Sequence, residues 1–115
     1  MKLDLLLQLP DASCAVPPPP DASASAAFTS DLLSDVMGHA PSESVLITIQ
    51  AHATTIAVAT VADIRAILIC SSRPLPADML EAARRENIGL YRTSLDQFHA
   101  SVAVHALLAN GALPA

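Results

Sequence analysis

Apolar residues concentrate in two short runs near the middle of the chain, VLITIQ at 45–50 and AILIC at 66–70. Runs of Val, Ile and Leu of this length are typical of parallel strands buried on both faces. The segment between them, HATTIAVATVAD at 52–63, is long enough for the crossover that parallel strands need. Its β-branched residues would also allow a strand, but the segment has no Gly or Asn turn for a hairpin. The pattern therefore predicts a strand, a crossover helix and a second strand.

Before this unit, the segment FTSDLLSDVMGHAP predicts a short amphipathic helix. Thr29 or Ser30 supplies the start signal, Asp31 lies in the first turn, and Gly38 supplies the stop. Residues 2–9 read as a short strand or extended edge segment, although their leucines would equally support one helical turn. Residues 10–27 contain four consecutive prolines, which prevent ladder pairing, and are predicted to form a loop.

After the second strand, Pro76 near the first turn and Gly89 as the terminator bracket another helix. Residues 90–93 are predicted to form a third strand. Ser94 begins SLDQ, a capping box that predicts a last helix over residues 95–108. The order of elements indicates an α/β fold with a small, open, mainly parallel sheet and flanking helices.

The bulk composition fits one domain over all 115 residues. The residues are 52% hydrophobic but only 3% aromatic, which suits helices packed closely on a sheet through small side chains. A net charge of -5 opposes binding to phosphate backbones or anionic lipid, so neither nucleic acid nor a membrane is expected as a partner. The two cysteines indicate no disulfide framework, and no export signal is evident, so the cytoplasm is the expected location.

Polar residues follow each predicted strand, at the edge where open parallel sheets bind ligands. Hydroxyls, helix-start amides and one guanidinium there could receive a phosphate or a carboxylate. Ser and Thr at such turns are also ordinary helix caps, so the pattern leaves both explanations open. The candidate ligand-binding residues are Gln50, His52, Thr54, Thr55, Ser72, Arg73 and Ser94.

The sequence argues against an enzyme. Three glycines and a single lysine leave no phosphate loop and no dinucleotide fingerprint, so no cofactor is expected. The two catalytic alternatives are His52 as a base and Cys70 as a redox thiol, but neither has an identifiable companion group in sequence. His99 and His105 lie six residues apart, on different helix faces, and no metal-site spacing occurs.

The combined pattern over residues 21–108 resembles the stand-alone DRTGG-domain proteins, which are similar to the amino-terminal domain of HPr kinase/phosphorylase. The similar features are the SDLLSDVM helix, the LITIQAH turn, the R-P after the second strand, E-x-x-I-G-L before the third, and T-S-L-x-x-F at the last helix. The naming motif falls on DASASAAF and is degenerate. Ala22 stands where arginine is usual, and Ala26 and Ala27 replace a glycine pair whose backbone freedom alanine lacks.

The resemblance implies a non-catalytic regulatory or protein-interaction module that self-associates as a homo-oligomer. A redox enzyme or a regulatory protein is then a candidate partner. The alternative is a sensor that binds an adenine nucleotide or another phosphate-bearing metabolite at the carboxyl ends of the strands. The segment of residues 21–28 is expected to fold over the polar turn at 50–55.

Overall fold

The computed structural model describes residues 1–114 and has five strands, four α-helices and a 3₁₀ helix. The elements are the 3₁₀ helix Leu3–Gln8, β1 Ser13–Val16, β2 Ala26–Thr29, α1 Leu33–His39, β3 Ser44–Thr48, α2 Ala53–Val61, β4 Ile64–Ile69, α3 Ala77–Glu86, β5 Gly89–Arg92 and α4 Gln97–Asn110. The sheet order is β1-β5-β4-β3-β2, and only the pairing of β1 with β5 is antiparallel. The predicted α/β class and the mainly parallel sheet are therefore confirmed.

Two apolar cores lie on opposite faces of this sheet because successive side chains of a strand point to opposite sides. In β4, Ile67 packs with residues of α2 and α3, whereas Leu68 packs with the 3₁₀ helix and α4. Both side chains are fully buried. The predicted strand, crossover helix and strand are β3, α2 and β4, and burial on both faces explains their unbroken apolar runs.

The amino-terminal leucines form a 3₁₀ helix, so the preferred reading of residues 2–9 as a strand is wrong. Leu3, Leu6 and Leu9 are buried at intervals of three residues, which is the 3₁₀ period. This helix covers one end of the core that contains α4.

The prediction of a loop throughout residues 10–27 is also wrong, because β1 lies within this segment and β2 begins there. The four prolines occupy positions 17–20, between the two strands, so they interrupt neither ladder. Both strands have four residues and lie at the edges of the sheet, where a single neighbouring strand supplies their hydrogen bonds.

Four helix-end predictions need correction. The first predicted helix begins at Leu33, since Thr29 ends β2 and the Asp31 carboxylate bonds elsewhere. The same helix continues through Gly38, which was predicted to stop it, and ends at His39. The last helix has Asp96 as its N-cap, which accepts from the His99 amide at 2.8 Å, so Ser94 and Gln97 form no capping box. Asn87, in the left-handed conformation, ends α3, and Gly89 already belongs to β5.

Candidate functional site

The carboxyl ends of four parallel strands meet at one edge of the sheet, and the predicted ligand-binding residues lie along it. Gln50 follows β3, Ser72 and Arg73 follow β4, and Ser94 follows β5. His52 is the N-cap residue of α2, with Thr54 and Thr55 in the first turn of this helix. The location was therefore predictable, and the contacts of each side chain decide which ones could meet a ligand.

The carboxylate of Asp31 accepts hydrogen bonds from several groups at this edge. The sequence had indicated only that Asp31 would lie in the first turn of a helix. Its Oδ1 atom accepts from Thr48 Oγ1 at 2.8 Å, from the Ile49 amide at 3.0 Å and from Gln97 Nε2 at 3.0 Å. The Gln50 side chain donates to the Asp31 carbonyl at 3.0 Å. One carboxylate thus joins the end of β3 to the start of α4, and its negative charge disfavours an anion nearby.

Besides Gln50, two more of the predicted residues, Thr55 and Ser94, have structural partners inside the protein. The buried Thr55 hydroxyl donates to the Gln50 carbonyl at 2.7 Å, which closes the turn from β3 into α2. The Ser94 hydroxyl donates to Asp11 Oδ2 at 2.8 Å, on the segment that leads into β1. These contacts support the capping explanation of the polar pattern for Thr55 and Ser94.

In the turn after β4, backbone amides donate hydrogen bonds to carbonyl groups of the segment that follows β5. Ser71 and Ser72 have φ of 59° and 51°, and their N–H groups donate to the carbonyls of Leu95 and Thr93 at 2.8 and 3.0 Å. The guanidinium of Arg92 donates to the carbonyls of Ser72 and Arg73. The amides of Ser71 and Ser72 are therefore already bonded within the protein, and Arg92 is a residue that the sequence reading missed.

His52 and Arg73 line one cleft of about 290 Å³ between the start of α2 and the segment that leads into α3. Both side chains are exposed, and the remaining walls come from Ile49, Ala51, Pro74 and Pro76. The structure thus brings together the imidazole and the guanidinium that the sequence placed after different strands. Helix starts carry partial positive charge, which adds to the cationic character of this cleft.

The catalytic alternative at Cys70 finds little support. Burial raises the pKa of Cys70 to about 12, and the carboxylates of Asp31 and Asp96 add to this rise, so its thiol stays protonated at neutral pH. Within residues 1–114, His, Cys, Asp and Glu side chains form no group of three that could hold a metal ion. Across the same residues, no helix combines the length and apolarity needed to cross a membrane.

No protein-family model matches this chain, and no curated protein sequence does. Among solved structures, the chain is similar to the CBS and DRTGG domains of the regulatory region of Clostridium perfringens pyrophosphatase, which was crystallised with its activator diadenosine tetraphosphate. The TM-score is 0.67 at 14% identity, and the match covers 88% of this chain and 44% of that one. The chain therefore spans less than half of that structure, and the likeness is one of fold.

Proposed function

We propose that this chain is a non-catalytic regulatory or protein-interaction module of the DRTGG type, acting in the cytoplasm as a single domain that self-associates. The similar pyrophosphatase region is itself regulatory, which supports the regulatory part. The likeness to the amino-terminal domain of HPr kinase/phosphorylase belongs to the same proposal and rests on the sequence features. A redox enzyme or a regulatory protein remains the proposed heterologous partner.

One observation carries the self-association. Three large apolar side chains are exposed around one seam, which is the line of contact between residues 29–32 and α4. Leu32, Phe98 and Val102 are 64%, 71% and 55% exposed, and together they are called the α4 patch. Asp31 bonds to Gln97 and Thr29 bonds to Ser101, so chain neighbours of the patch residues are held together across the seam. Exposed apolar groups grouped in this way mark interaction surfaces more often than scattered ones do.

The position of β2 supports the same surface. β2 forms the edge of the sheet beside this seam, so one side of its backbone faces away from β3. An edge strand is a natural place for a second chain to add. In the proposed dimer, the α4 patch of one copy covers the patch of the other around a two-fold axis.

The test replaces Phe98 and Val102 together by Asp, which places two charges in the proposed interface. We expect the dissociation constant of the homo-oligomer to rise at least about 30-fold, because losing a buried aromatic anchor costs about 2 kcal/mol or more. Sedimentation velocity over a concentration series measures the change. The matched control is Val61→Asp, since Val61 is 72% exposed on α2, outside the patch. A wild-type protein that stays monomeric at about 100 μM would contradict the proposal.

The second candidate function is the binding of an adenine nucleotide or another phosphate-bearing metabolite. The cleft that His52 and Arg73 line together is the observation that favours it. The proposal adds Thr54, in the first turn of α2, and Ser72, which precedes Arg73 in the chain. The regulatory region with the similar fold was crystallised with diadenosine tetraphosphate. In this proposal Arg73 pairs with a phosphate and the start of α2 supplies free amides.

Arg73→Ala is expected to abolish any thermal stabilisation of the protein by nucleotides. A ligand at 100 times its dissociation constant stabilises the native state by about 2.7 kcal/mol, which a melting curve resolves readily. The panel includes ATP, AMP and diadenosine tetraphosphate. Arg84→Ala is the control, because Arg84 is exposed in the last turn of α3, at the end away from the cleft. Unchanged melting of the wild type with millimolar nucleotide would exclude this function.

A further inference from the structure

A second cleft, of about 300 Å³, lies between the 3₁₀ helix and the proline run that follows β1. We call it the proline cleft and define it by Leu7, Cys14, Pro18 and Tyr91, with Lys2, Asp4 and Asp21 at its mouth. Because β1 runs antiparallel to β5, the proline run lies near the amino end of β5. The cleft is therefore separate from the carboxyl edge and from the α4 patch.

The expectation that residues 21–28 fold over the polar turn at 50–55 is wrong, because residues 26–28 pair with β3, and Asp21 and Ala22 line the proline cleft. Asp21 pairs with Lys2, and the Ser25 amide donates to the carbonyl of Glu43, the residue before β3. Since β3 begins at Ser44, the contact of Ser25 with Glu43 lies at the amino end of this strand. The degenerate motif thus helps to form this cleft.

The walls of the proline cleft are preformed. Each proline ring fixes its backbone φ and removes an amide donor, so residues 17–20 present a stiff and apolar surface. Pro18 is packed on Gly89, where an added Cβ would lie 3.2 Å from the Pro18 Cβ atom. The missing side chain of Gly89 therefore lets the proline run approach β5, and the opposite wall includes the half-exposed Leu7.

The floor is neutral. Tyr91 is buried and lines the cleft beside Cys14, its neighbour in the pairing of β1 with β5. Burial raises the pKa of the Cys14 thiol above its ordinary value. The thiol is therefore protonated at neutral pH, and sulfur and phenol together offer a polarizable surface that suits an aromatic ring.

The mouth carries an excess of negative charge. Lys2 Nζ lies 3.5 Å from Asp21, which leaves the ammonium already paired. Asp4 lines the same cleft as Tyr91 and makes no ion pair with any of residues 1–114. A cationic group would satisfy Asp4, whereas a phosphate would be repelled.

We propose that the proline cleft binds a small aromatic amine, with the ring between Pro18 and Leu7 above Tyr91 and the ammonium on Asp4. The volume is at the lower end of the range for small-molecule sites, which fits a ring with a short side chain. The proposed ligand is a cation, whereas the nucleotides considered for the His52 and Arg73 cleft are anions. Tryptamine is the probe, and indole-3-acetate is the matched anion with the same ring.

The readout is the reaction of Cys14 with a neutral dipyridyl disulfide, followed by absorbance. Cys14 is the exposed cysteine of the two, and Cys70 is buried, so the fast reaction reports on the proline cleft. Millimolar tryptamine is expected to slow the reaction at least about fivefold, whereas indole-3-acetate leaves it nearly unchanged. Equal protection by both compounds, or protection by neither, overturns the proposal.

Asp4→Asn keeps the shape of the residue and removes its charge. We expect the half-protecting concentration of tryptamine to rise about tenfold in this variant, which corresponds to about 1.4 kcal/mol. Asp78→Asn is the control. Asp78 is an exposed acid in the first turn of α3, near the carboxyl ends of the parallel strands and away from the proline cleft. Protection that is unchanged in Asp4→Asn, or weakened equally in Asp78→Asn, contradicts the role of Asp4.

Discussion

Replacing Leu6 by Ala is expected to lower the free energy of unfolding by about 3 kcal/mol. Leu6 is fully buried in the core between the sheet, α4 and the 3₁₀ helix, where it packs in the same cluster as Leu3 and Tyr91. Truncation removes apolar contacts and leaves a cavity that the neighbouring strands cannot fill. Urea unfolding followed by far-ultraviolet circular dichroism measures the loss.

Leu7→Ala is the matched control, because Leu7 is the next residue in the same helix and is 48% exposed. Its truncation is expected to cost less than about 1 kcal/mol. The pair also distinguishes the two conformations considered for residues 2–9. In a strand, Leu7 would share its face with Leu3 and Leu9, so an equal or larger cost for Leu7→Ala would contradict the 3₁₀ helix.

The second large effect is expected at Asp31. Asp31→Ala removes the acceptor of Thr48 Oγ1, the Ile49 amide and Gln97 Nε2 in one step. Hydrogen-bond donors left without a partner in a partly buried site destabilise the folded state. We therefore expect the free energy of unfolding to fall by about 2–3 kcal/mol. Amide hydrogen exchange should also accelerate in the first turn of α4, because Gln97 loses its link to the end of β3.

Asp35→Ala is the control for this prediction. Asp35 is the acid of α1 itself, and its carboxylate contacts His39 in an exposed pair at 2.8 Å. Exposed pairs contribute about 0–1 kcal/mol, so this variant should unfold almost like the wild type. Asp31→Asn should fall between the two, since its amide oxygen still accepts. Equal stability of Asp31→Ala and Asp35→Ala would refute the role given to Asp31.

The central unit was predictable because its signals are local and strong. The strands β3 and β4 are buried on both faces, so nearly every residue in them must be apolar, whatever lies above or below. The length of the intervening segment then required a crossover, which α2 supplies. The same local reasoning located α3, which begins directly after Pro76, although Asn87 rather than Gly89 ends it.

Prediction failed where an element depends on a distant partner. β1 and β2 are four-residue edge strands, and each exists because β5 or β3 offers it a ladder. The leucines of the 3₁₀ helix allowed more than one local conformation, and the core that buries every third residue selected one. Short elements have too few internal hydrogen bonds to be stable alone, so packing decides their form.

The candidate site was likewise predictable from the sequence only in its local features. Sequence reasoning located the carboxyl edge and chose His52 and Arg73, which do line one cleft. It had no means of finding that Gln97, 66 residues away in the chain, bonds to Asp31, or that Ser94 is bonded to Asp11. Polar side chains at strand ends look alike in sequence whether their partners are ligands or other parts of the protein.

The sequence by itself determined the α/β class, the buried strand-helix-strand unit and the edge of the sheet where polar groups gather, because hydrophobic burial follows the order of residues along each element. Only the tertiary structure decided which of those groups remain free, and that Asp31 holds the edge together. It also decided that Asp21 and Ala22, at the start of the degenerate motif, line the proline cleft. Hydrogen-bond and charge partners are chosen by proximity in space, and the fold alone sets that proximity.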